Sequence, residues 1–209
     1  MRKRYAVAAW IAVAGSLALA AGAGAAGQEQ KAAPPQMSPE EQAMMAAWMK
    51  AMTPAEQHHH LAALAGNWEG SVTMFMAPGA PPQVNAAKVE RVMQLGGRVL
   101  QDHWNGMMNG MPFEGMGWTG YDNAAQRWWT SWSDNFSTGV MNGTGKCDAD
   151  ATKGCTYLST AIDPTTGKEM SSRSTVSWPG ADEERMQMFG PGPDGKEFMM
   201  MEIVIHRVK

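Results

Sequence analysis

From Asn67 to the C-terminus the chain breaks into about ten short runs bounded by turn residues, and this rhythm constrains the fold more than any other feature. The runs span 68–76, 84–95, 98–107, 113–121, 126–133, 138–147, 155–162, 169–178, 183–189 and 196–208. Turn signals punctuate them: Ala77-Pro78-Gly79, Gly96-Gly97, Asp122-Asn123, Asp163-Pro164-Thr165-Thr166-Gly167 and Pro191-Gly192-Pro193-Asp194-Gly195. Helical periodicity is absent from this region. Such a meander reads as an antiparallel sandwich or barrel. About ten strands suit a closed up-and-down barrel, which leaves no exposed sheet edge.

The first 66 residues differ. Arg2, Lys3 and Arg4 precede an apolar run, and Ala23-Gly24-Ala25 fits the small-x-small rule of a signal peptidase site. Residues 1–25 therefore read as a signal peptide cleaved after Ala25, and the protein as periplasmic or secreted. An uncleaved anchor is the alternative, because the run is long enough to span. No other segment is, so no membrane span is expected after cleavage. Removing the leader changes the charge. The whole chain carries 17 basic and 20 acidic residues, and the mature chain 14 against 20, or −6. Such a surface argues against a nucleic-acid partner, which needs clustered basic residues.

Residues 26–37 read as a disordered leader and 38–66 as a helical hairpin ahead of a barrel domain over 67–209. Ser38-Pro39-Glu40-Glu41 is a capping box with proline at the first helical position. Thr53-Pro54-Ala55-Glu56 repeats the signal. Met44, Met45, Trp48, Met49 and Met52 form one apolar stripe on the first helix, and Gly66 is suited to end the second. The only cysteines, Cys147 and Cys155, flank a turn-rich stretch and read as a disulfide across a β-hairpin in an oxidising compartment.

Leu64-Ala65-Gly66-Asn67-Trp68-Glu69-Gly70 resembles the Gly-x-Trp opening of the calycin superfamily, the lipocalins and their relatives. That resemblance implies a short helix before the first barrel strand and makes Trp68 the plug of the closed end. Further along stand Met111-Pro112-Phe113-Glu114-Gly115, Gly120-Tyr121-Asp122-Asn123, Trp132-Ser133-Asp134-Asn135 and Gly192-Pro193-Asp194-Gly195-Lys196-Glu197. In that order they resemble the bacterial domain-of-unknown-function family numbered fifteen seventy-nine, over about residues 50–208. The resemblance implies an exported, all-β, calycin-like barrel of the lipocalin or fatty-acid-binding kind. It implies no activity and offers no catalytic residues.

Strand parity then nominates a cavity. Trp128, Thr130 and Trp132 share one face of the fifth run, with Trp104 and Trp118 on the neighbouring runs. On the last run Met201, Ile203, Ile205 and Arg207 share a face, and His206 takes the other. An inward Arg207 would resemble the carboxylate-anchoring arginine of fatty-acid-binding relatives. These residues are the expected lining for a small hydrophobic or amphipathic molecule.

Methionine is the composition's odd entry. The mature chain holds 19 Met against 17 Leu, Ile and Val together. Thioethers invite Cu(I), and Met199-Met200-Met201 is the densest cluster, yet methionine also packs irregular cores and adaptable pockets. His58-His59-His60 lacks the i, i+4 spacing of a helical metal pair and reads as a solvated helix face. No metal site and no cofactor are assigned. Serine-hydrolase, zincin, phosphate-loop and C-x-x-C signatures are absent from the sequence, so no catalysis is expected. The chain is read first as a cavity binder. The alternatives are a metal- or haem-binding envelope protein and an envelope module that docks through its helical hairpin.

Overall fold

The computed structural model describes residues 37–150 and 153–209, so the expected signal peptide and nearly all of the leader lie outside the described residues. Two helices come first, α1 (Pro39–Met52) and α2 (Glu56–Ala63). Ten strands follow: β1 (Gly66–Met74), β2 (Gln83–Gln94), β3 (Val99–Met108), β4 (Met111–Asp122), β5 (Arg127–Asp134), β6 (Met141–Cys147), β7 (Cys155–Ile162), β8 (Glu169–Gly180), β9 (Glu183–Pro191) and β10 (Glu197–Arg207). Each pairs antiparallel with its sequence neighbours, and β1 closes on β10. The fold is an all-β antiparallel barrel of ten strands behind a short helical segment.

Closure depends on one small residue. In the β1–β10 register Gly70 faces Ile205. A Cβ there would collide with the backbone of Val204 and Ile205. Gly70→Ala is therefore expected to force β1 off β10 and to lower stability by about 1–3 kcal/mol, read by urea denaturation. An unchanged midpoint would show that the seam has slack.

The hairpin of β6 and β7 carries the disulfide, Cys147 to Cys155, between directly paired positions. Closing so short a loop is worth about 2–3 kcal/mol in the chain-entropy model. The double Cys→Ser protein should melt correspondingly lower, and reductant should bring the native protein down to the same Tm.

The helices depart from the sequence reading in two places. Ser38 caps α1 as expected: its hydroxyl accepts from the Glu41 N–H at 3.2 Å, and its own N–H donates to the Glu41 carboxylate at 2.7 Å. Thr53 does not cap α2. It ends α1 instead, donating its hydroxyl to the Met49 carbonyl at 2.7 Å. The start of α2 is held by His58, whose Nδ1 accepts from the Ala55 N–H at 3.0 Å. The second departure is the histidine triplet. His58 is buried and His60 packs edge-on against Trp178 at 4.7 Å and Trp128 at 6.1 Å. Only His59 is exposed, because α2 lies on β2, β3 and β4 and turns the other two inward.

Between them the helices bury very little of α1. Met44, Met45, Trp48, Met49 and Met52 are all more than half exposed. The C-terminal turn of α1 is tied down by side-chain hydrogen bonds from the barrel. Asn123 donates to the carbonyls of Lys50 and Thr53, and Arg98 to that of Met52.

Candidate functional site

Inside the barrel the alternation of each strand sends every second side chain to the axis. Two apolar clusters result. One gathers Trp68, Val72, Ala87, Val89, Trp104, Ile203 and Ile205, and the other Leu61, Leu64, Leu100, Trp128, Cys155 and Tyr157. Between them lies a cavity of about 390 Å³.

Its walls differ in chemistry. An aromatic wall rises from β3, β4 and β5. Trp104 meets Trp132 edge-on at 6.2 Å, Trp132 stacks with Phe113 at 6.3 Å, and Phe113 stacks with Phe136 at 5.7 Å. This ladder runs from buried Trp104 to exposed Phe136. Gly115 and Gly117 make room for it, since a Cβ at either would press on the Trp132 indole. A thioether wall comes from β1, β10 and β9. Met74 pairs with Met201 and Met201 with Met188, all lining the cavity. Tyr157 and Ser159 of β7, with Ser174 of β8, present hydroxyls on a third side.

The end beneath α2 is charged. Arg91, buried on β2, forms a two-pronged hydrogen bond to Glu184 of β9, at 2.7 and 2.8 Å. Its Nε lies 3.4 Å from Asp102 of β3, without hydrogen-bond alignment. Trp178 donates its N–H to Glu184 at 2.9 Å. Burial disfavours a charge on Glu184, but the charge and hydrogen bonds of Arg91 outweigh it and hold that carboxyl below its ordinary value. Asp102 goes the other way. Burial pushes it up to about 6, against Arg91, which pulls it down. Burial also raises the Tyr157 hydroxyl, with the charges of Glu184 and Asp102 adding to it. Burial lowers His60, against the charges of Glu184 and Asp150, which raise it.

Trp68 closes this end. It is 1% exposed and donates its N–H to the Leu64 carbonyl at 2.9 Å. Two guanidiniums lie over its ring, Arg91 at 5.2 Å and Arg207 at 4.4 Å.

The profile of a family described as "Protein of unknown function (DUF1579)" matches residues 53–207. The chain belongs to the DUF1579 family. Among solved structures it is similar to "Crystal Structure of Rv2717c from M. tuberculosis", at 14% identity and a TM-score of 0.57, covering 75% of this chain and 100% of that one. At that identity the likeness shows a shared fold. No curated protein matches the chain.

In this DUF1579 barrel Trp104, Trp128, Trp132 and Met201 line the cavity. Two nominated residues do not. Trp118 points outward from β4, because Phe113, Gly115, Gly117 and Thr119 hold the inner parity, and its cross-strand partners Gln101 and Ser131 share that outer face. Arg207 follows the inner parity but lies past the last inward residue, Ile205. It covers Trp68 from outside, donates to the carbonyls of Ala63 and Ala65 at 2.7 Å each, and pairs with Asp182 at 3.3 Å. It therefore anchors α2, not a ligand carboxylate.

The metal candidates also disperse. Met201 lines the cavity, whereas Met200 lies over Gly190 and a bulge interrupts β10 between Met199 and Met201. His206 is exposed on the outer face. No cluster of three or more His, Cys, Asp or Glu suited to a metal occurs among the described residues. Arg91, Asp102, Glu184 and Tyr157 escaped the sequence reading, which places His60 on a solvated helix face. The available signal was three charges placed at the apolar phase of β2, β3 and β9.

Proposed function

We propose that this protein is an exported binder that holds, without transforming, a small apolar or amphipathic molecule inside its barrel. The observation that carries the reading is the cavity of about 390 Å³ with an indole and thioether lining. Ligand pockets fall at about 300–1,000 Å³ and are mostly apolar with a few placed polar groups. Trp104, Trp128 and Trp132 supply flat apolar area, and the methionines supply walls that adapt to shape. The disulfide supports an oxidising compartment, and no helix among the described residues is long and apolar enough to cross a membrane.

The test is a fluorescence titration with the neutral probe N-phenyl-1-naphthylamine. Saturable enhancement at one probe per chain is expected, with quenching of the cavity tryptophans. Trp132→Ala should weaken binding roughly tenfold by removing a central rung of the aromatic ladder. A probe that shows no saturable binding, or one whose affinity ignores Trp132, would overturn the reading.

A further inference from the structure

Resting on that reading, we infer that the cavity is selective for an amphipathic amine, whose ammonium meets Asp102 beside Glu184 and Tyr157 while its apolar body lies along Trp104, Trp128 and Trp132.

Charge carries the first step. Among the described residues lining the cavity, Asp102, Asp134 and Glu184 are acidic and Arg91 alone is permanently cationic. Arg91 is ion-paired already, though its Nε makes no hydrogen bond. Both terminal nitrogens hold Glu184, its Nε faces Asp102, and its plane lies over Trp68. A ligand carboxylate would find its one permanent cation already paired with Glu184 and Asp102, and would face three carboxylates. Asp134 is already satisfied by the Trp132 indole at 2.8 Å and the Phe136 N–H at 3.0 Å. Glu184 has Arg91 and Trp178. Asp102 is the acid with an oxygen left over: it has a side-chain hydrogen bond with Trp104, but its Oδ1, 3.4 Å from the Arg91 Nε, is buried with no hydrogen-bond partner. A buried carboxylate oxygen without a donor is costly, so a donor brought by a ligand is strongly favoured there.

A second, independent group points to the same place. Tyr157 is only 7% exposed and lines the cavity, and no hydrogen bond involves its hydroxyl among the described residues. It lies within the electrostatic reach of both Asp102 and Glu184. An ammonium carries three donors, so it can donate to Asp102 Oδ1 and to the phenol oxygen together. The surrounding indole faces also favour a cation in a site shielded from water.

The groups facing Asp102 are Arg91 on β2, Trp104 on its own strand, Tyr157 on β7, Glu184 on β9 and His60 on α2. Burial lowers the His60 imidazole, and the carboxyl here raised to about 6 is Asp102. Protonating it removes the acceptor charge, so amine preference should fall as pH drops through about 6.

The experiment uses the mature full-length protein loaded with N-phenyl-1-naphthylamine and displaced by n-decylamine, n-decanol or n-decanoate at about pH 8 and about pH 5. At the higher pH the amine should displace the probe at roughly tenfold lower concentration than the alcohol. The carboxylate should be weaker than both. The amine-to-alcohol ratio should shrink at the lower pH and approach unity in Asp102→Asn, with Tyr157→Phe reducing it by a smaller factor. Because the readout is a ratio within each variant, a general loss of affinity does not mimic the effect. Decanoate binding as well as the amine, or a ratio unmoved by Asp102→Asn and Tyr157→Phe, overturns the inference and leaves cavity binding standing. Failure of the probe and of all three ligands to bind overturns both.

Discussion

Arg91→Met is expected to lower folding stability by about 3–5 kcal/mol near neutral pH. Methionine fills much of the arginine's volume, so the loss is electrostatic. Glu184 would keep one hydrogen bond, from Trp178, and Asp102 one, from Trp104, with its Oδ1 still unpartnered. Two carboxylates would then be enclosed without a cation. The pH dependence has a definite sign. In the native protein Glu184 is held below its ordinary value, so its contribution is present above the unfolded pKa and lost as pH falls through the folded one. Asp102, at about 6, opposes it: the folded state binds its proton more tightly, so stability falls as pH rises toward about 6 and levels off above. Without Arg91 both folded carboxyls move upward and the variant recovers stability in acid. Urea denaturation at about pH 8 and about pH 5 should show the deficit shrinking at the lower pH. An equal deficit at both, or one near zero, would mean that the cluster relaxes outward to water.

Trp68→Ala is the second large effect, at about 3–5 kcal/mol. The indole is 1% exposed, its N–H satisfies the last turn of α2, and Arg91 and Arg207 both lie over its ring. Truncation leaves a void that neither arginine can fill, because both are fixed by other partners. The variant should also admit N-phenyl-1-naphthylamine faster, since the plugged end becomes a second mouth. Arg207→Ala should cost only about 1 kcal/mol, as it removes one exposed-side cation–π contact and two hydrogen bonds near solvent. Comparing the two melts separates the plug from its lid. A small loss for Trp68→Ala would show that α2 closes the end by itself.

How much of the site was legible depended on distance along the chain. Trp128 and Trp132 are two strand steps from Thr130, so one alternating run sets their common face. The same rule, applied to β4, turns Trp118 outward, where Phe113 and the glycines keep the inner phase. Arg207 obeyed the alternation but not the expected role. Parity says which face a side chain leaves from, and not whether the barrel still encloses that height. The histidines misled for another reason. Adjacent helix residues fan around the axis, and only contact with β2, β3 and β4 decides which of them turn inward.

Local chemistry was enough for the strand succession, the turns between strands, the Ser38 cap and the Cys147–Cys155 pairing, and the family resemblance implied the Trp68 plug. Each rests on neighbours in sequence, or on a motif carried by a few consecutive residues. What the tertiary structure alone decided is the closure of β1 on β10 over Gly70, the cavity, and the charged cluster at its floor. Arg91 and Glu184 are 93 residues apart. A charge on an apolar strand phase is a defect until a partner arrives from another strand. That partner's identity is set by how ten strands wrap around one axis, which no short stretch of sequence encodes.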